Sequence, residues 1–142
     1  MEDCIFCRII RKQEHAIVVY EDEQSIAFLD KYPLNPGHTL VLPKKHYVTM
    51  TEMPPDEVGK LFVSVAKVMK GVHRATRAHG INIGQSNGRA ASQEVFHMHV
   101  HVIPRFSDDS RGGVTFPERK KMELTEKVEI GKQIKKAIES EK

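Results

Sequence analysis

The chain contains no tryptophan, and aromatic residues make up only 6% of its 142 residues. A sequence so poor in aromatics lacks the stacking platforms that single-stranded nucleic-acid binders use. Excess charge is scarce too, since 22 Lys and Arg against 19 Asp and Glu leave only +3. Both signs are spread along the chain, so no nucleic-acid partner is expected. No run reaches the ~18 apolar residues that would suggest a membrane span. The start, Met1-Glu2-Asp3-Cys4, lacks the basic-then-apolar order of a secretory signal. The expectation is a cytoplasmic protein with no membrane partner. There are only two cysteines, Cys4 and Cys7, in a single C-x-x-C pair. In a reducing compartment a structural disulfide is not expected, and the spacing suits metal binding or redox chemistry.

What is present suits one globular domain: 39% hydrophobic and 29% charged residues, with length for a single core. Cys4 to Lys12 reads as a short helix with Ile5, Phe6, Ile9 and Ile10 on its apolar side. Ala16 to Tyr20 and Ser25 to Leu29 flank a polar turn and read as a hairpin. The Pro- and Gly-rich stretch from Tyr32 to Gly37 is expected to be an ordered loop leading into a strand, His38 to Leu42.

A long helix should begin at Pro54-Pro55, with Asp56 and Glu57 complementing its dipole. Val58, Leu61, Phe62, Val65, Val68, Met69 and Val72 form its apolar stripe, and Gly80 is the expected stop. Two more strands, Ile81 to Ser86 and Val95 to Ile103, should pair antiparallel. After a polar, Gly-rich stretch, Ile130, Ile134 and Ile138 recur every four residues, which predicts a final weakly amphipathic helix. The fold class expected is therefore α+β: an antiparallel sheet of about five strands with one long helix and a C-terminal helix.

Chemistry concentrates in Phe96-His97-Met98-His99-Val100-His101-Val102-Ile103-Pro104. On a strand the period of two places His97, His99 and His101 on one face and Met98, Val100 and Val102 on the other. A purely structural face would be served better by Val or Thr. Two chemistries remain open on the residues alone. Histidines at i and i+2 can chelate zinc and make a metal-hydroxide hydrolase. Alternatively, a neutral imidazole can attack phosphorus, with its neighbours neutralising phosphate charge.

His97 to Ile103 resembles the motif that names the histidine triad family of nucleotide hydrolases and transferases. Upstream, Asp30-x-x-Pro33-x-x-x-Gly37-His38-x-x-x-x-Pro43-Lys44-x-His46 is similar to a second block of that family. Cys4-x-x-Cys7 sits where zinc-containing members of the Hint-like branch carry such a pair. Together these cover about residues 3 to 106, which implies a histidine triad domain over 1–106 and an extension over 107–142, packed on the same domain or on a dimer partner.

The resemblance implies a nucleotidyl-histidine intermediate on His99 and phosphate contacts from His101 and His38. It implies Asp30 at the ribose hydroxyls and Phe6, Ile9 and Phe28 around a purine base. Cys4, Cys7, His46 and His97 would be the ligands of a structural zinc. It further implies a homodimer formed through the long helix and an edge strand. Ser86, followed by Asn87, stands where many members place Asn or Gln. Glu94 stands where Ser or Thr is common, and its carboxylate would repel phosphate unless it points away. Ser92 is a nearby hydroxyl that would serve the phosphate instead. The implied activity is release of AMP or GMP from a purine nucleoside phosphoramidate. Hydrolysis of diadenosine polyphosphates and a non-catalytic nucleotide-binding scaffold are the alternatives.

Overall fold

The computed structural model describes residues 4–110 and 115–140. Its elements run α1 (Ile5–Ile10), β1 (Val18–Glu21), β2 (Ser25–Leu29), β3 (Thr39–Pro43), α2 (Pro55–Thr76), β4 (Gly80–Gly84), β5 (Val100–Arg105) and α3 (Leu124–Glu139). The strands form one antiparallel sheet in the order β1-β2-β3-β5-β4. The α+β class and the five-stranded sheet are as the sequence predicts. No helix among the described residues is long and apolar enough to cross a membrane.

Strand alternation divides the core in two. Ala27, Leu29, Val41, Val100 and Val102 face α2 and α3, where Leu61, Val65, Val68, Val72, Ile134 and Ile138 cover them. Ile26, Phe28, Leu40 and Leu42 point the other way and pack against Phe6 and Ile9 of α1. Every residue of β2 and β3 is buried, so these central strands read as continuous apolar runs.

Several boundaries differ from the sequence expectation: β3 runs Thr39–Pro43 and not His38 to Leu42, β4 runs Gly80–Gly84 and not Ile81 to Ser86, and three further differences concern β1, α2 and β5. The first strand of the hairpin is Val18–Glu21 and not Ala16 to Tyr20. The long helix stops at Thr76, not at Gly80: Arg77 takes the left-handed conformation at φ 56°, and the Thr76 hydroxyl donates to the Val72 carbonyl. Gly80 is instead used by β4, opposite Arg105.

The third difference lies in the motif itself. The final strand begins at Val100, so only His101 of the three histidines lies within it. Extending the β3–β5 register would set Met98 opposite Pro43. Proline has no N–H to offer, and its carbonyl already accepts from the His97 side chain. The Met98 N–H turns instead to the Tyr47 carbonyl at 2.7 Å. Residues 97–99 thus leave the ladder and curl beneath α1.

The last helix is held by close approach. Ile138 lies against Gly71 so tightly that a Cβ there would overlap its Cγ1, and Gly131 faces Ile17 in the same way. A capping box between Glu123 and Glu126 starts α3. The segment before it is stitched to the 30–35 loop: the Lys120 N–H donates to the Pro33 carbonyl and its ammonium to the Leu34 carbonyl.

Candidate active site

A cleft of about 560 Å³ opens beside α1, lined by Phe6, Ile9, Phe28, Asp30, Ser86, Ser92, Glu94, His99 and His101 among others. Most residues singled out in the sequence thus meet in one cavity. His38 and Asn87 do not line it. His38 is fully buried one layer behind His101. The Asn87 side-chain oxygen accepts from the Met50 N–H at 2.7 Å and holds the loop in place.

The hydrogen bonds fix which histidine nitrogen carries each proton. His99 Nδ1 lies 2.7 Å from the His97 carbonyl, which can only accept, so Nδ1 bears the hydrogen. Its Nε2 is then a lone pair, and Phe6 holds the ring edge-on at 5.1 Å. His38 Nδ1 accepts from the Leu34 N–H at 3.0 Å, which leaves the hydrogen of the neutral ring on Nε2. That hydrogen is donated to His101 Nδ1 at 2.9 Å. His101 Nε2 therefore carries a hydrogen that Nδ1 cannot compete for, and it is the donor left for the cleft. One imidazole offers a lone pair to the cavity and its neighbour offers a donor. That combination suits attack on a phosphate better than either group alone.

Burial keeps these rings neutral. It pushes His38 down to about 3, with Asp30 opposing the shift and His101 and Arg119 adding to it. Burial likewise pushes His101 down to about 4, assisted by His99, and lowers His99. A pH dependence follows for His38. The unfolded ring takes a proton near its ordinary 6.5, but the folded ring only near 3. Between those values the unfolded state binds more protons, so stability falls as pH falls, by up to about 1.4 kcal/mol per pH unit for this one group. Urea midpoints measured from pH 7 to 4 should show the decline, and His38→Gln should flatten it. An equal slope in the variant would remove His38 as the cause.

Asp30, His38 and His101 also place three donors within 4.8 Å of one another. Metal binding through His38 Nε2 would require that ring either to lose its remaining proton or to give up the Leu34 N–H bond. This arrangement disfavours the metal-hydroxide alternative at that position.

A second donor set lies on the far side of the His97 peptide. Cys4, Cys7, His46 and His97 offer two sulfurs and two nitrogens within 4.8 Å of one another. Their edges are 3.5 Å from Cys4 Sγ to His97 Nδ1, 3.3 Å from Cys7 Sγ to His46 Nδ1 and 3.1 Å between the two Nδ1 atoms. A tetrahedral ion with about 2.3 Å bonds to sulfur and 2.0–2.1 Å to nitrogen needs edges of roughly 3.3–3.8 Å, close to these. His97 Nε2 donates to the Pro43 carbonyl at 2.8 Å, so its Nδ1 lone pair points at the thiols. Burial and the Cys4 sulfur raise the Cys7 thiol above its ordinary range, so a thiolate there calls for a cation.

The local chain explains why these four meet. Cys4 caps α1, its sulfur accepting from the Cys7 N–H at 3.3 Å, which brings both sulfurs to one end of the helix.

A match to the HIT (histidine triad) domain spans residues 11–108. The chain belongs to the histidine triad family. An uncharacterised HIT-like protein of Methanocaldococcus jannaschii is 49% identical over 123 residues, covering 87% of this chain and 94% of its own length. Adenylylsulfatase HINT3 of Arabidopsis thaliana is 40% identical over 107 residues, covering 75% of this chain and 54% of that longer protein. Among solved structures, a hypothetical histidine triad nucleotide-binding protein from Sulfolobus tokodaii superposes with a TM-score of 0.87 at 39% identity, covering 96% and 92% of the two chains. A zinc-bound histidine triad family protein from Mycobacterium smegmatis gives 0.83 at 34% identity, covering 97% and 94%.

The sequence missed part of this histidine triad cleft. Arg119, Leu124 and Lys127 from the C-terminal segment line it. Only the charge of Arg119 and Lys127 could have marked them, and charge is common throughout that segment. The Gln93 side chain was also passed over. It accepts from the Gly88 N–H and donates to the Val48 and Val95 carbonyls, clamping the loop beside the cleft.

Proposed function

We propose that the protein hydrolyses purine nucleoside phosphoramidates, releasing AMP or GMP through a nucleotidyl-histidine intermediate on His99. The observation that carries this reading is the 2.7 Å bond from His99 Nδ1 to the His97 carbonyl, which leaves the Nε2 lone pair for the cleft. Nε2 attacks the α-phosphorus, the bond to the leaving amine breaks with its electron pair on nitrogen, and the amine takes a proton from solvent. Water then attacks the same phosphorus. The phosphorus–histidine bond breaks, its electron pair returns to Nε2, and the water surrenders one proton. His101 Nε2–H donates to the phosphate oxygens, with His38 holding its tautomer, while Ser86 and Ser92 stand at the cleft wall.

Asp30 serves the ribose hydroxyls, and Phe6, Ile9 and Phe28 wall the base. Support comes from relatives: the Sulfolobus tokodaii neighbour is described as a nucleotide-binding protein and the Arabidopsis thaliana relative is named an adenylylsulfatase.

The donor set of Cys4, Cys7, His46 and His97 fits a structural zinc, and a histidine triad neighbour is zinc-bound. With all four positions filled by protein, such an ion would cross-link α1 to the His97 peptide and would leave no site for hydrolytic water. We further propose a cytoplasmic homodimer, joined through α2 and the edge strand β4, whose Val63 and Ile83 are exposed.

The test is AMP release by the whole protein from adenosine phosphoramidate, diadenosine polyphosphate and adenylyl sulfate in parallel. Fastest release from the phosphoramidate supports the reading. Preference for another substrate reassigns the leaving group, and no release from any, with AMP still bound, makes the protein a nucleotide-binding scaffold.

A further inference from the structure

The C-terminal segment brings two cations, Arg119 and Lys127, to the cleft, and Arg119 is the one hydrogen-bonded to Asp30. Arg119 Nη1 donates to Asp30 Oδ2 at 3.2 Å and to the Tyr32 carbonyl at 2.6 Å. Its other terminal nitrogen, Nη2, reaches Glu94 Oε1 only at 3.9 Å. The guanidinium therefore spans from the ribose side of the cleft to the loop that carries Ser92 and Glu94.

Position matters because displacement at phosphorus is in line. His99 is only 9% exposed and lines the cavity. A group expelled by attack from His99 departs on the opposite side of phosphorus, away from that buried ring. Arg119 and Glu94 line the same cavity with much more exposed side chains and are the charges placed to meet it.

These two charges are not held alike. Glu94 has its side chain 80% exposed, and its ion pair among the described residues is the long contact to Arg119, of small worth. Arg119 is 42% exposed and fixed by two hydrogen bonds through Nη1, while Nη2 remains available. The ordered cation decides the preference and the loose carboxylate yields. Arg119 is also near enough to oppose a positive charge on His38 and on His101, so it contributes to the field at the phosphate.

Resting on the covalent reading above, we infer that Arg119 is a specificity-determining residue. It receives a negatively charged group attached beyond the α-phosphate, displacing Glu94, so that among phosphoramidates those with anionic leaving amines are favoured over those with neutral ones. The chemical class is a nucleoside phosphoramidate whose leaving amine carries a negatively charged group such as a carboxylate.

The test uses the full-length protein and two adenosine phosphoramidates that differ only in charge: one with β-alanine as the leaving amine, the other with its methyl ester. The measured quantity is the ratio of kcat/KM for acid over ester. In Arg119→Gln this ratio should fall by about tenfold, the scale of one charge-assisted contact. Arg119→Lys should recover part of it, and Glu94→Gln should raise it. Any loss of folded protein scales both substrates alike and leaves the ratio unaffected.

A second measurement needs no turnover: the affinity of α,β-methylene-ADP relative to AMP, which should drop in Arg119→Gln in the same sense. If the wild-type protein consumes both substrates and neither ratio changes in the variant, the inference is overturned and the covalent reading stands. If the wild-type protein consumes neither while the affinity ratio still falls, the covalent reading fails and the role of Arg119 in anion selection stands.

Discussion

Replacing His99 by alanine lowers turnover of an adenosine phosphoramidate by at least about a thousandfold, while AMP affinity shifts by less than about threefold. The loss is expected to be this large because neither neighbouring histidine of the motif can take over the attack. His101 has its Nδ1 lone pair occupied by the His38 proton and carries a hydrogen on Nε2. His97 faces the other way, with Nε2 bonded to the Pro43 carbonyl and Nδ1 directed at Cys4 and Cys7. Binding survives because Asp30, Phe6, Ile9 and Phe28 are untouched. Peptide mapping after a rapid quench should place a nucleotidyl adduct on the His99 peptide of the wild-type protein and none on the variant. Undiminished turnover in the variant would refute nucleophilic catalysis by His99.

Stripping metal from the zinc-loaded protein is expected to lower the melting temperature by about 10 °C or more, corresponding to a few kcal/mol for a chain of this size. This is well short of the ~10–16 kcal/mol zinc contributes in zinc-finger peptides, since most of the core is independent of the metal. Leu61, Val65, Val68 and Val72 pack against the sheet with no part in the cysteine site. What a bound ion would hold in place is α1, a six-residue helix otherwise attached by Phe6 and Ile9.

Releasing α1 withdraws Phe6 from the edge of His99 and loosens the His97 peptide, whose carbonyl sets the His99 tautomer. Activity should fall with stability, and Cys7→Ser should reproduce both effects. The metal content must be verified in each sample by mass spectrometry. An unchanged melting temperature after complete removal would rule out a structural metal.

Much of the fold could be read in the sequence because its signals are local. The heptad-like stripe from Val58 to Val72 defines α2 without reference to anything else, and Ile134 and Ile138 mark the buried side of α3. Strand boundaries were less legible. Alternation runs unbroken from His97 to Val102, but pairing depends on the partner strand, and Pro43 ends the ladder at a point that β5 itself does not encode. The end of α2 escaped for the same reason, since Gly80 was needed in register opposite Arg105.

By itself the sequence determined the chemistry available: alternating histidines, a C-x-x-C pair, an acidic residue ahead of a Pro-Gly loop, and a family resemblance strong enough to name. Side-chain type and short spacing are written directly in the chain. Only the tertiary structure decided how those groups are used. It turned His97 toward the cysteines and left His99 with its lone pair in the cleft, through one carbonyl and one proline. It also brought Arg119 onto Asp30 across 89 residues of chain, by docking α3 on Gly71 and tying Lys120 to the 30–35 loop. Contacts of that kind depend on the packing of distant elements, and no local pattern around Arg119 announces them.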